Sequence, residues 1–192
     1  VSTDVLKTLK KIKTKIKKLK IIKVRSGSKI FDWKIPYEWK AISAKIFDKN
    51  NNVIINYKKN NLHLVSHSIK FNKFLKLNEL KKKLYFIKEK PSAIPYRTTY
   101  YKKDWGICIS YNQYKKLNDK KYKVYIDTEF KKGFLRYGEY FKKGKSKKEI
   151  LFNTNICHPA LANNEVSGVV LLTYLSDYLS KLSTRYSYRI VF

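Results

Sequence analysis

The sequence predicts an α/β fold interrupted by a β-rich region. Three observations carry that expectation. Apolar residues in the first stretch recur at a helical period, the middle of the chain alternates in short strand-like runs, and residues 149–192 read as strand, turn, helix and strand. A strand running through a sharp turn into a helix places that turn at the carboxyl end of a strand. Open α/β sheets put their ligands and catalytic groups there.

Taken in order, residues 3–19 carry Val5, Leu6, Leu9, Ile12, Ile16 and Leu19 on one side and Lys on the others. This is the pattern of an amphipathic helix lying on a sheet, with Ser2, Thr3 or Asp4 available as its cap. A basic helix on a membrane surface is the alternative for this segment. Residues 21–24 form a short strand, and Ser26 to Ser28 turn the chain into FDWKIPYEW. AISAKIFDKNNNVIINY reads as a hairpin whose loop is Asp48 to Asn52, because Asn tolerates positive φ. LHLVSHSI is strand-like, residues 77–84 read as a short helix, and KEKPSAIPYRTTYYKKDWGICIS is a loop punctuated by Pro that leads into a strand. Phe31, Trp33, Trp39, Tyr96, Tyr100, Tyr101 and Trp105 are expected to form a small aromatic core. KYKVYIDTEF and GFLRYGEYF are strands separated by a turn around Gly133, followed by a Lys-rich turn and the final strand, helix and strand.

Composition excludes several classes. A chain of 192 residues with 43% hydrophobic and 15% aromatic content is not disordered. The formal net charge of +30 raises the question of a nucleic-acid partner. The excess is almost all Lys, whereas Arg, the residue suited to bidentate phosphate and base contacts, is confined to Arg25, Arg97, Arg136, Arg185 and Arg189. Lys enriched together with Asn, Ile and Tyr is the mark of an AT-rich genome, so no specific nucleic-acid partner is expected. Binding driven by the Lys excess would fall steeply with salt. Cys108 and Cys157 sit in apolar runs and are expected as buried reduced thiols, which fits a cytoplasmic location. No run is long and apolar enough to span a bilayer, and the first residues lack the order of a signal peptide. The chain opens on Val1 and stops at Phe192 inside the apolar run YSYRIVF, so it is expected to be an N-terminal fragment.

Among chemically able residues His158 stands out, because it follows an apolar strand at the expected turn and imidazole is a common zinc ligand. Glu165 is the nearby carboxylate. One His is not a metal site, and a hydrogen-bonded turn His is the plain alternative. Cys157 and His158 are sequence neighbours in an extended run and point to opposite faces, which disfavours a thiol-imidazole dyad. His63 and His67 lie four apart in a strand-like run, hence about 13 Å apart and too far to share a metal. Asn163, Asn164 and Glu165 make a polar first turn suited to capping, with Ser167 and Gly168 opening the helix.

FDWKIPYEW, NNLHLVSHSI, AIPYRTTYYKKDWGICIS, FLRYGEY, NICHPALANNEVSG and YSYRIVF occur in this order. Together they resemble the aminopeptidase-like family of bacterial proteins associated with polysaccharide biosynthesis, itself similar to the di-zinc exopeptidases. The resemblance implies a three-layer α/β/α exopeptidase-like domain, incomplete here, formed by residues 1–26 and 113–192 and interrupted by an inserted β-rich domain at residues 27–112. It implies a zinc-dependent aminopeptidase-like hydrolase acting on a peptide or small amide. His158 matches the first metal ligand. Asn164 falls where the related enzymes carry the metal-bridging aspartate, and Glu165 could compensate for it. The family's catalytic glutamate lies beyond the last strand, so no catalytic residue is expected within this chain and it is expected to be inactive alone. A non-catalytic relative that binds a peptide or a glycan-linked amine is the second expectation, favoured by Asn164.

Overall fold

A computed structural model of the chain describes residues 3–156 and 162–192. In chain order it comprises α1 (Thr3–Lys15), β1 (Lys20–Arg25), β2 (Lys29–Ile30), β3 (Trp33–Lys34), β4 (Glu38–Phe47), β5 (Val53–Asn56), a 3-10 turn (Asn61–His63) and β6 (Phe71–Lys76). There follow α2 (Leu77–Lys81), β7 (Leu84–Tyr85), β8 (Ile107–Cys108), α3 (Tyr111–Lys115), β9 (Lys121–Lys131), β10 (Phe134–Lys142), β11 (Glu149–Asn153), a π-helical turn (Ala162–Val166), α4 (Ser167–Ser180) and β12 (Ser187–Val191). By compactness the chain forms two units, Val1–Glu38 with Lys131–Phe192, and Trp39–Phe130.

The first unit is built on a four-stranded sheet in the order β1-β10-β12-β11. β10 runs antiparallel to β1 and β12, while β11 and β12 are parallel and joined through α4. The helical period of the first segment is realised as α1, which ends four residues short of the expected limit. Leu9, Ile12, Ile16 and Leu19 are all buried, against Tyr140 and Ile190 of the sheet and Leu172 and Leu179 of α4. Both helices therefore share one face of the sheet, because Tyr140 and Ile190 are register partners. On the other face Arg189 ties the strands together: its Nε and Nη2 donate to Glu149, and its Nη1 meets Glu139 Oε1 at 2.9 Å. This is the α/β architecture the sequence predicts, with the sheet and one helix layer among the described residues.

A buried ion pair also belongs to this unit. Glu38 accepts from Arg136 Nη1 at 2.7 Å and from the Phe134 backbone N–H at 3.1 Å. Burial alone would raise the Glu38 carboxyl, but the Arg136 guanidinium and the Phe134 N–H outweigh it and hold the pKa below its ordinary value. Gly133 must be Gly here, because a Cβ would lie 2.3 Å from the Glu38 carboxyl carbon.

The second unit centres on a sheet in the order β5-β4-β9-β6. Its core holds Ala44, Ile46 and Ile55 from the hairpin, Val124 and Ile126 from β9, and Leu80, Trp105 and Ile107. The expected hairpin forms: Asp48 Oδ1 accepts from the N–H groups of Asn50 and Asn52, and Asn51 takes φ 63°. Three expectations for residues 27–112 need correction. LHLVSHSI is not a strand; it is a 3-10 turn followed by irregular backbone with isolated bridges, and His67 is left-handed at φ 65°. The helix expected over 77–84 stops at Lys81 because Leu84 joins β7 beside β8. The aromatic residues do not make one core. Trp105 is buried against Phe71, whereas Phe31 is 93% and Tyr101 89% exposed, and Trp33 and Tyr96 are also exposed. Among the described residues no helix is long and apolar enough to cross a membrane.

Candidate functional site

The site expected from the sequence lies where β11 gives way to α4. β11 is an apolar run paired in parallel with β12, and Thr154 continues the ladder by donating its N–H to Val191 O at 3.0 Å. Cys157 and His158 fall within 157–161, outside the described residues. The chain re-enters as the π-helical turn Ala162–Val166, which runs directly into α4. Asn163 to Glu165 therefore do not cap the helix, as the sequence led one to expect, but sit within a widened helical turn. Ser167 Oγ donates back to Asn163 O at 2.7 Å, a bond of the kind that bends or widens a helix. π-turns of this kind are frequent at functional sites.

Glu165 is 5% exposed, an unusual place for a carboxylate, while Asn164 beside it is exposed. Asn164 Nδ2 donates to Glu165 Oε1 at 3.2 Å, so the structure brings these two expected site residues together. Gly168 fixes where the turn sits. A Cβ on it would lie 2.4 Å from Thr154 Oγ1, so only glycine lets the first turn of α4 close against the end of β11. Thr154 was not singled out by the sequence; a Gly in the first turn of a helix that follows a strand is the signal that points to it.

The other candidates are structural. His63 is buried, and its Nδ1 donates to Cys108 O at 2.7 Å, which leaves Nε2 unprotonated in the neutral ring. Burial lowers its pKa despite that bond. His67 stacks on Trp39 with ring centroids 5.3 Å apart and meets Tyr100 edge-on at 4.9 Å. Burial there brings its pKa down to about 4. Cys108 is buried and its thiol is pushed up to about 12, so it is an inert, free thiol, as expected. Among the described residues no three of His, Cys, Asp and Glu converge as a metal-binding group.

Comparison with known proteins places this geometry. The family described as Domain of unknown function (DUF4910) matches residues 1–192. A Clostridium acetobutylicum protein, provisionally named for polysaccharide biosynthesis with an aminopeptidase-like domain, is 42% identical over 174 residues. The match covers 91% of this chain and 40% of that protein's length, so the chain spans about two fifths of the relative. A crystal structure from the same organism, described provisionally as a peptidase, superposes with a TM-score of 0.88 at 42% identity, over 98% of this chain and 44% of its own. The structure of a zinc aminopeptidase from Bacillus subtilis superposes with a TM-score of 0.64 at 11% identity, over 99% and 55% of the two chains, a likeness of fold alone. The parallel β11–α4–β12 unit, the β-rich second unit and the match along the whole sequence agree: the chain belongs to the DUF4910 family, and the Clostridium acetobutylicum relative is named for an aminopeptidase-like domain.

Proposed function

We propose that the full-length protein is a metal-dependent aminopeptidase-like hydrolase of peptides or small amides, and that this chain supplies one corner of its site. The observation that carries the proposal is Glu165: a carboxylate buried to 5% exposure, in the turn that follows the carboxyl end of a parallel strand, in a fold like that of zinc aminopeptidases. Burying a carboxylate is costly unless a cation or donors compensate it. The donors fit zinc in kind, with an imidazole nitrogen from His158, a carboxylate oxygen from Glu165 and an amide oxygen from Asn164. With Asn164 Nδ2 turned to Glu165, its carbonyl oxygen is the atom that can serve as a ligand.

A bound zinc supplies a polarised carbonyl and a water acidified toward neutral pH. The residues of this chain hold and orient. Asn164 fixes the rotamer of Glu165, Gly168 and Thr154 set the turn against the strand end, and the helices on one face of the sheet keep both rigid. The general base implied by the family resemblance lies outside this chain, so the 192-residue chain alone is expected to be inactive. In this proposal the β-rich region, residues 27–112 by sequence and 39–130 by compactness, is an insertion into the hydrolase domain, and the buried thiol of Cys108 fits a cytoplasmic location. Metal analysis of the full-length protein, with aminopeptidase assays on aminoacyl anilides, tests it; a folded protein that takes up no zinc and cleaves none of them would overturn it.

The hydrogen bond from Asn164 to Glu165 favours a second reading, a non-catalytic relative that binds a peptide or glycan-linked amine. A neutral amide satisfies a buried carboxylate without a metal, whereas an aspartate there would repel it. Asn164→Asp in the full-length protein separates the two. A gain in zinc affinity and activity identifies a decayed site, and unchanged or reduced affinity favours the site as it stands.

A further inference from the structure

The β-rich unit holds a cavity of about 350 Å³ between the β4–β5 hairpin and the stretch that runs from α3 into β9. Voids in a well-packed interior are few and rarely larger than a water molecule, whereas sites for small molecules begin at roughly 300 Å³. The floor of this cavity is apolar and fixed in place. Ile46 of β4, Ile55 of β5 and Ile109 after β8 line it, each at most 3% exposed and packed into the core. One polar group breaks that floor. Tyr122 of β9 also lines the cavity at 2% exposure, and its hydroxyl oxygen accepts the Asp119 backbone N–H at 2.9 Å. A phenol that accepts still has its own O–H to donate. Among the described residues no acceptor for that proton lies within hydrogen-bond reach. A buried donor in this state is costly unless something in the cavity receives it.

The charges at the mouth define the kind of molecule that fits. Asp48 already accepts from the backbone N–H groups of Asn50 and Asn52 and from Asn52 Nδ2. Asp119 accepts from the Lys49 backbone N–H at 3.2 Å and meets Lys49 Nζ at 3.6 Å. With the exposed Lys116 on the rim, two carboxylates stand against two ammonium groups, so neither an anion nor a cation is favoured. We propose that this cavity binds a small neutral molecule with an apolar body and a carbonyl oxygen. The body rests on Ile46, Ile55 and Ile109, and the oxygen accepts the Tyr122 O–H. Every residue invoked lies between positions 46 and 122, inside one unit, so the site does not depend on the hydrolase proposal.

Titration of the full-length protein, labelled at its isoleucine methyl groups for NMR, with acetophenone and with α-methylstyrene tests the proposal. The two probes share one shape, but the second carries a CH2 group where the first carries its carbonyl oxygen. Acetophenone should bind saturably and shift the methyl signals of Ile46, Ile55 and Ile109, while that of Ile190, buried in the other unit, stays in place. Tyr122→Phe should weaken acetophenone about five- to tenfold and leave α-methylstyrene unchanged. Should that variant fail to fold, the natural protein decides: it must prefer acetophenone once each affinity is corrected for the probe's own transfer from water. A folded protein whose three methyl signals show no saturable response to acetophenone, as when water alone fills the cavity, would sink the proposal. A folded Tyr122→Phe variant that binds acetophenone as tightly as the natural protein would do the same.

Discussion

The two units place their apolar residues differently. In the β-rich unit the hairpin, β9, α2 and the Trp105 segment converge on one core, and the large apolar residues left outside, such as Phe74 and Tyr101, are scattered over its surface. In the α/β unit α1 is seated on the sheet, but α4 and β11 carry Leu171, Tyr174, Tyr178 and Leu151 outward in neighbouring elements. Scattered exposed aromatics are ordinary on soluble proteins, whereas a stripe along one helix is not. The difference teaches that one unit closes its own core, whereas the other leaves the outer side of α4 and the edge of β11 uncovered among the described residues, and that the candidate site lies in the second.

The sharpest way to break this comparison is to separate the units. Residues 39–130 expressed alone should unfold in one cooperative transition, since their core is internal; a non-cooperative melt would contradict the contrast. Next in size is Glu38→Gln, which leaves Arg136 charged and buried. It should cost about 3–5 kcal/mol in the α/β unit, read as faster hydrogen exchange at β10 amides. A change confined to β4 and β9 amides of the other unit would show that the ion pair has been assigned to the wrong unit.

The β-rich unit should carry a pH signature of its own. His67 takes up a proton near pH 6.5 when unfolded and near 4 when folded. Between these values the unfolded state binds more protons, so stability falls as pH falls, by roughly 3 kcal/mol at full protonation. Its stability is fully present above pH 6.5. His67→Ala should flatten that slope in a urea titration series, and an unchanged slope would assign it elsewhere. A smaller effect is expected at the site corner. Gly168→Ala drives a methyl into Thr154 and should cost about 1–3 kcal/mol. Thr154→Ala in the same chain should recover part of that loss, and strict additivity would show that the two residues do not meet.

Much of this architecture was legible in the sequence because single periods dominate it. Leu9, Ile12, Ile16 and Leu19 announce α1, Asp48 to Asn52 announce a turn, and the run into and out of residues 149–192 announces β11, α4 and β12. Legibility failed where backbone conformation departs from pattern. Nothing in LHLVSHS signals that His67 turns left-handed to stack on Trp39, since ring contacts across 28 positions leave no local trace. β6 escaped notice because it is an edge strand with Asn and Lys among its exposed positions. α3 was missed although Ser110 and Gln113 form a capping box, a signal that was present to be read. At the site, the pairing of Asn164 with Glu165 was legible from adjacency, but their place in a π-turn depends on Gly168 meeting Thr154 and was not.

The central claim is that the turn after β11 is a metal-binding corner. Elemental analysis of the purified full-length protein beside its His158→Ala variant tests it most directly. The account predicts bound zinc in the natural protein and its loss, by about tenfold or more in occupancy at limiting metal, in a variant that stays folded. A natural protein that is folded yet takes up no zinc, or a variant that binds it equally well, would contradict the account.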